Sequence, residues 1–127
     1  MVHYTVTTRK DMDQLLIDIE AALKEIQFGI LWKFDLHEKL EEKGFSSEKE
    51  HTVLEVCNPK EASEVLAIAP LSSYFLPCKI VISRDEKETQ IGFIRPSVLI
   101  GIMENEELIK KGKEIEEKLT LAINQAK

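Results

Sequence analysis

Hydrophobic and polar residues alternate in five short stretches of the chain. These stretches are Val2–Val6, Ile30–Leu36, His51–Cys57, Cys78–Arg84 and Thr89–Arg95. A period of two places every second side chain on the same side of an extended backbone, which is typical of a β-strand with one buried face. The pattern therefore predicts five strands, the last two of which are separated only by the polar tip Asp85–Glu88 of a hairpin.

Two long segments instead repeat their apolar residues every three or four positions, which is the spacing of a helix with one buried stripe. The first stripe consists of Met12, Leu15, Leu16, Ile19, Ala22, Leu23 and Ile26, and the second of Leu108, Gly112, Ile115, Leu119, Ala122 and Ala126. Asp11 and Asn105 precede these stripes as N-cap residues. A shorter helix is predicted for Pro59–Ala69, a short polar helix or turn for Leu36–Lys43, and one or two helical turns for Ser97–Met103.

These elements predict an α+β fold in a single domain that spans residues 1–127. We expect a two-layer sandwich, in which a mostly antiparallel five-stranded sheet is covered on one face by two long helices (β-α-β4-α with short extra helices). The alternation of side chains along each strand assigns every residue to one of the two sheet faces. The residues expected to face the helices are Val2, Tyr4, Val6, Ile30, Trp32, Phe34, Leu54, Val56, Ile80, Ile82, Ile91 and Phe93. Those expected on the open face are Leu31, Lys33, Asp35, Val53, Glu55, Cys57, Lys79, Val81, Ser83, Gln90, Gly92 and Ile94.

Four aliphatic residues fall on the open face: Leu31, Val53, Val81 and Ile94. An exposed apolar patch marks a partner surface, so these residues predict a twofold homodimer that uses part of this face. The alternative is that they are scattered surface aliphatics, which need no partner.

Composition and charge narrow the class of protein. The 127 residues are 43% hydrophobic and 31% charged, as in folded soluble domains. The formal net charge of −6 opposes nucleic-acid binding, which needs clustered cations. No apolar run approaches the roughly 20 residues of a membrane span, and the N-terminus has no signal-peptide pattern. We therefore expect a cytoplasmic protein with no nucleic-acid or membrane partner.

Both cysteines lie beside prolines, in Cys57-Asn58-Pro59 and Pro77-Cys78. Asn58 is a helix N-cap and Pro59 suits the first helical position, so Cys57 ends a strand directly before a helix N-terminus, where partial positive charge favours a thiolate. If the two strands are antiparallel neighbours, Cys57 and Cys78 meet at one end of the sheet. Alternation points them to opposite faces, which weakens the case for a disulfide.

The motifs around these cysteines resemble a known family. Val53–Pro59 with Ala62, followed by Phe75-Leu76-Pro77-Cys78, resembles the paired CNP and LPC signatures of the domain-of-unknown-function family 302. Segments Phe28–Leu31, Asp35-Leu36 and Lys39–Gly44 match further parts of its pattern. The resemblance implies a small α+β fold similar to the TATA-box-binding-protein fold, often a homodimer, and it implies no established activity.

Three hypotheses about function follow. The first is a small cytosolic binding or interaction domain, homodimeric, with a small-molecule pocket built from Cys57, Asn58, Pro59, Pro77 and Cys78. The second is a thiol-dependent enzyme or redox protein with Cys57 as nucleophile; alternatively, both cysteines are simply buried hydrophobic residues. The third, a metal-binding protein, is weakened because the histidines lie far from the cysteines and are expected to be exposed, so no metal site is predicted. Neither a cofactor nor a substrate is indicated.

Overall fold

The computed structural model describes all residues, 1–127. In chain order the strands are β1 (His3–Thr8), β2 (Gly29–Asp35), β3 (Glu50–Cys57), β4 (Cys78–Arg84) and β5 (Thr89–Ile94). The helices are α1 (Met12–Glu25), α2 (Leu36–Glu42), α3 (Pro59–Ile68), α4 (Pro96–Gly101) and α5 (Glu106–Ala126), and a 3₁₀ turn spans Pro70–Tyr74. None of these helices combines the length and the apolar character that a membrane crossing needs.

The five strands form one sheet in the order β1-β5-β4-β3-β2, and every neighbouring pair is antiparallel. The two outer strands in this order are the first two in the chain, so the segment β3-β4-β5 forms the centre. The predicted α+β sandwich with an antiparallel five-stranded sheet is confirmed.

The hydrophobic core lies between the sheet and the helices. Its fully buried side chains include Leu15, Ile19 and Leu23 of α1, Leu108, Leu119 and Ile123 of α5, and Leu54, Val56, Ile80, Ile82 and Ile91 of the sheet. The alternation in β3, β4 and β5 therefore assigns their inward residues correctly. Removing such apolar surface from water is the main favourable contribution to folding.

Side-chain caps fix the starts of the three longest helices. Asp11 accepts a hydrogen bond from the Gln14 backbone N–H at 2.8 Å, and Asn105 accepts from that of Leu108 at 3.0 Å. Asn58 likewise accepts from the Glu61 N–H at 3.2 Å. Each bond satisfies a helix N–H that has no partner within the helix, and all three caps agree with the sequence prediction.

A β-bulge in β2 overturns part of the predicted face assignment. The pairing with β3 shifts between Ile30 and Trp32, and one extra residue reverses the alternation beyond it. Trp32, predicted to face the helices, is 58% exposed and lies opposite Glu55. Phe34 also moves to the open face. The prediction was wrong for Val2 too, which lies outside β1 and is 54% exposed.

The same shift turns Lys33 and Asp35 away from the open face, where they were predicted. Asp35 lies opposite the buried Thr52, whose hydroxyl donates to the Asp35 carboxylate at 2.7 Å. Burial opposes ionisation of Asp35, but the bonds from Thr52 and Lys33 outweigh it and lower the pKa. The bulge thus exchanges two aromatic side chains for two charged ones on the helix side of this edge strand.

Candidate ligand-binding site

The ladder between β4 and β5 is shorter than the ladders on either side. Its last pair is Val81 with Gly92, whereas β4 stays paired with β3 as far as Cys78, and β5 with β1 as far as Ile94. Strands β4 and β5 therefore separate at this end of the sheet and leave a gap between them.

An apolar cavity of about 300 Å³ occupies this gap, and 12 of its 15 lining residues are hydrophobic. The sheet contributes Cys78, Lys79, Val81, Phe93 and Ile94, the preceding segment Tyr74–Pro77, and the helices Val65, Pro96, Leu99, Ile100, Ile115 and Leu119. Because residues from both sheet faces and from α3, α4 and α5 all contribute, the cavity extends from the open face through the gap to the helix layer.

Helix α4 is a fixed wall of this cavity because Glu116 of α5 holds its start. The Glu116 carboxylate accepts hydrogen bonds from Arg95 Nε at 3.0 Å and from the Ser97 hydroxyl at 2.6 Å. Burial opposes ionisation of Glu116, but these bonds lower its pKa. Gly112 allows close packing, since a Cβ there would lie 3.2 Å from the Ser97 Cα. The position of α4 is therefore fixed by polar contacts that lie outside the cavity.

A shallower groove of about 230 Å³ continues from the cavity across the open face. It shares Val81, Phe93 and Ile94 with the cavity, and its other lining residues are His3, Thr5, Ser83, Gln90 and Gly92. The floor of the groove is formed in part by Gly92, which has no side chain to fill the space above it. A Cβ at this position would lie 2.5 Å from Thr5 Oγ1 and 2.6 Å from the Tyr4 carbonyl oxygen. The site thus joins an apolar interior to a polar rim.

Four of the five sequence-predicted site residues line this cavity or a separate void. Pro77 and Cys78 line the large cavity. Cys57 and Asn58 line a void of only about 10 Å³, to which Cys78 also contributes. Pro59 lines neither, because it begins α3 as the predicted N1 proline. The Leu76–Pro77 peptide bond that leads into the cavity is cis.

The polar atoms of Asn58 are already used within the protein. Its oxygen caps α3, and its amide nitrogen donates to the Ile26 carbonyl oxygen at 3.4 Å. The residue is only 4% exposed. Asn58 therefore fixes the junction of β3 and α3, and it has little capacity left for a ligand.

The two thiols are free and partly buried, and they lie on neighbouring strands as predicted. Burial raises the pKa of Cys57, the direction opposite to the one that the helix N-terminus predicts. Burial and the nearby Cys57 raise the pKa of Cys78 to about 11. Both groups are thus protonated near neutral pH, a state that favours a structural role over a nucleophilic one.

The histidines were expected to be exposed, and this was wrong for His51, which is half-buried, and for His37. Its side chain is 13% exposed, it lies 3.6 Å from Glu50, and its Nδ1 accepts from the His51 backbone N–H at 3.1 Å. His37 and His51 are therefore in direct contact at the start of β3, and Cys57 lies at the other end of that strand. No group of three or more His, Cys, Asp or Glu side chains is arranged to hold a metal ion.

Sequence reasoning missed most of the cavity, including Leu99, Val81 and the groove around Gly92. The one available signal was Gly92 itself, since an isolated glycine inside a strand pattern often marks a close backbone approach. The early end of the β4–β5 ladder has no local signature, because it depends on where the neighbouring strands and α4 lie.

Comparisons with known proteins agree on the family. A family model described as a domain of unknown function, DUF302, matches residues 4–126. A crystal structure of an uncharacterized conserved protein DUF302 from Bacillus stearothermophilus is similar, with a TM-score of 0.96 and 38% sequence identity over 100% of this chain and 99% of that one. The comparison with curated proteins gives no match.

Proposed function

The chain belongs to the DUF302 family, a domain of unknown function, and we propose that it binds a small apolar molecule in the cavity between β4 and β5. The cavity is the one observation that carries this proposal. Its volume of about 300 Å³ lies at the lower end of the range for small-molecule sites, and such sites are mostly apolar with a few polar groups at the edge.

The size of the cavity sets the size of the ligand. At about 30 Å³ for each non-hydrogen atom, the volume that one water occupies in the liquid, the cavity accommodates roughly ten such atoms. Each methylene moved from water into the cavity contributes about 0.8 kcal/mol. A linear or monocyclic apolar group of this size therefore has enough surface to bind measurably.

A chain-length series tests the proposal. We expect calorimetric titration with n-alkanols to give affinities that rise from hexanol to about decanol and then level off, because further carbons no longer fit inside. The absence of binding across the whole series would overturn the proposal. A continuous rise without a limit would contradict the cavity as the site, since it would indicate nonspecific partition onto apolar surface.

We also propose that the chain forms a homodimer through the open sheet face. Phe34, Val53 and Val81 lie side by side across β2, β3 and β4, and the 58%-exposed Trp32 and 48%-exposed Ile94 extend this apolar row. Val81 and Ile94 also line the cavity, so this apolar row begins beside the opening.

The dimer is tested by sedimentation equilibrium of Trp32→Ser beside Ile17→Ser. Large aromatic side chains dominate the energetics of interfaces, so Trp32→Ser should weaken dimerisation about tenfold or more. Ile17 is 62% exposed but lies on α1, away from the open face, and its replacement should leave the dimer unchanged. A monomeric wild-type protein at micromolar concentration would overturn the dimer.

A further inference from the structure

We propose that the ligand is a monocarboxylate, with its apolar part inside the cavity and its carboxylate at the opening on the open face beside Lys79. This inference rests on the proposed function, and it concerns the chemical class of the molecule that the same cavity takes. The supporting observations are the charges of the lining residues and their places around the opening.

The lining of the cavity and its groove contains no acidic side chain. This is notable in a chain with 23 acidic and 17 basic residues. The side chains there that can carry positive charge are Lys79 and His3, and a carboxylate is the complementary charge for them. A cationic ligand would find no partner within the lining.

Lys79 lies at the edge where the apolar wall meets solvent. It belongs to β4 on the same face as Val81, and extending the β4–β5 register by two residues places it opposite Ile94 across the gap. Its side chain is 59% exposed, while its neighbours in the cavity are hydrophobic. An amphiphile bound tail-first would thus bring its head to the ammonium group.

The present partner of Lys79 is exchangeable. Lys79 Nζ lies 2.9 Å from Glu55 Oε1 on the neighbouring strand, and the ion pair is solvent-exposed on the lysine side. Exposed ion pairs are weak, and the flexible lysine stem lets the ammonium group turn from Glu55 to a ligand. Glu55 therefore competes with a bound carboxylate, and its removal should favour the ligand.

The groove beyond the opening is lined by neutral hydrogen-bonding groups and contains no acidic side chain that would repel an anion. The Ser83 and Thr5 hydroxyls line it beside the side-chain-free Gly92, and His3 Nδ1 is bonded to the Thr5 hydroxyl at 2.8 Å. The lining around the opening thus combines the cation of Lys79 with uncharged polar groups, which is complementary to an anionic head group.

The test compares decanoate, decanol and decylamine at pH 8, each titrated calorimetrically into wild type, Lys79→Gln and Glu55→Gln. We expect decanoate to bind wild type best, roughly tenfold more tightly than decanol. Lys79→Gln should remove this preference, and Glu55→Gln should enlarge it. Lys33→Gln, at an exposed lysine on β2 that lines neither cavity nor groove, is the matched control and should keep the wild-type preference.

The outcomes separate the two proposals. If decanol binds as tightly as decanoate, or if Lys79→Gln keeps the full preference, the carboxylate inference is overturned and the apolar cavity stands. If none of the three probes binds wild type, the proposed function and this inference fail together. Opposite shifts of the preference in Lys79→Gln and Glu55→Gln would support both.

Discussion

Replacing Leu99 with tryptophan should abolish ligand binding while leaving the fold intact. Leu99 is a half-buried residue of α4 whose side chain lines the cavity. Tryptophan adds about six non-hydrogen atoms, or roughly 180 Å³ at about 30 Å³ each. This exceeds half of the cavity volume of about 300 Å³, so a ten-atom ligand no longer fits.

The expected loss of affinity follows from the atoms that the indole displaces. If about five methylenes of the ligand stay in water, at about 0.8 kcal/mol each, binding weakens by about 4 kcal/mol. This corresponds to roughly a thousandfold in Kd, which takes a micromolar ligand beyond calorimetric detection. The stability of the protein should change by less than about 1 kcal/mol, because the added atoms enter existing space and not a close-packed core.

The assay is calorimetric titration of decanol into Leu99→Trp and Val98→Trp, with urea unfolding of both variants. Val98 is also half-buried on α4 but does not line the cavity or the groove, so Val98→Trp should bind like wild type. Unchanged binding in a folded Leu99→Trp would refute the placement of the ligand. Ile94→Trp fills the cavity from the open face and repeats the test if Leu99→Trp is unstable.

Three further predictions concern the fold and the thiols. Gly92→Ala should destabilise the protein by about 1–3 kcal/mol in urea unfolding, because the added Cβ would lie 2.5 Å from Thr5 Oγ1. The control is Gly29→Ala, which places its Cβ where nothing lies within 4 Å. It should change the free energy of unfolding by less than about 0.5 kcal/mol. Burial opposes ionisation of Glu61, but hydrogen bonds from Lys118 and Lys111 lower its pKa. The ionised form of Glu61 therefore stabilises the fold at pH values above the unfolded pKa of about 4.3, and this stability is lost as the pH falls through the folded pKa. Glu61→Gln should therefore lose about 1–3 kcal/mol at pH 7 and show a flatter stability profile below about pH 5, whereas an unchanged profile would contradict the assignment. Since burial raises the pKa of Cys57, iodoacetamide at pH 7 should alkylate it at least about tenfold more slowly in native than in unfolded protein, and equal rates would revive the hypothesis of a thiol-dependent enzyme.

Local signals were sufficient to predict most of the fold. The caps at Asp11, Asn58 and Asn105 are chemical features of one helical turn, and each lies where the sequence placed it. The inward residues of β3 and β4 followed from alternation because these strands are regular and paired on both sides. Such features depend on residues close together in the chain, and sequence patterns report them well.

The face assignment of β2 failed for a physical reason. The run from Phe28 to Phe34 contains mostly apolar residues, so the extra residue at the bulge leaves no break in the pattern. β2 is an edge strand, and a bulge there also makes it a poor template for pairing with another chain. The consequence for the site is that Trp32 joins the open face, where the sequence had placed Lys33.

The candidate site was only half predictable. Pro77 and Cys78 were identified from their motif and do line the cavity, but Cys57 and Asn58 belong to a separate small void. The motif residues were grouped because they meet at one end of the sheet. Their grouping could not show which of them border a cavity, because the cavity arises from the divergence of β4 and β5 and from the position of α4.

Most polar side chains at this end of the molecule are engaged with one another and do not face the cavity. The acidic side chains near the cavity are already paired: Glu61 accepts from Lys118 and Lys111 at 2.9 and 3.2 Å, and Glu116 accepts from Arg95 and Ser97. Inside the lining, the thiol of Cys78 has a pKa raised by burial to about 11.

General acid–base catalysis needs a group whose pKa lies near the working pH and that reaches the reacting atom, and the cavity wall presents no Asp, Glu or His for this role. The same paired carboxylates connect α3 and α4 to α5 and so fix the positions of the apolar walls. This arrangement supports the proposal that the cavity binds its ligand by shape, with a charged group at the opening.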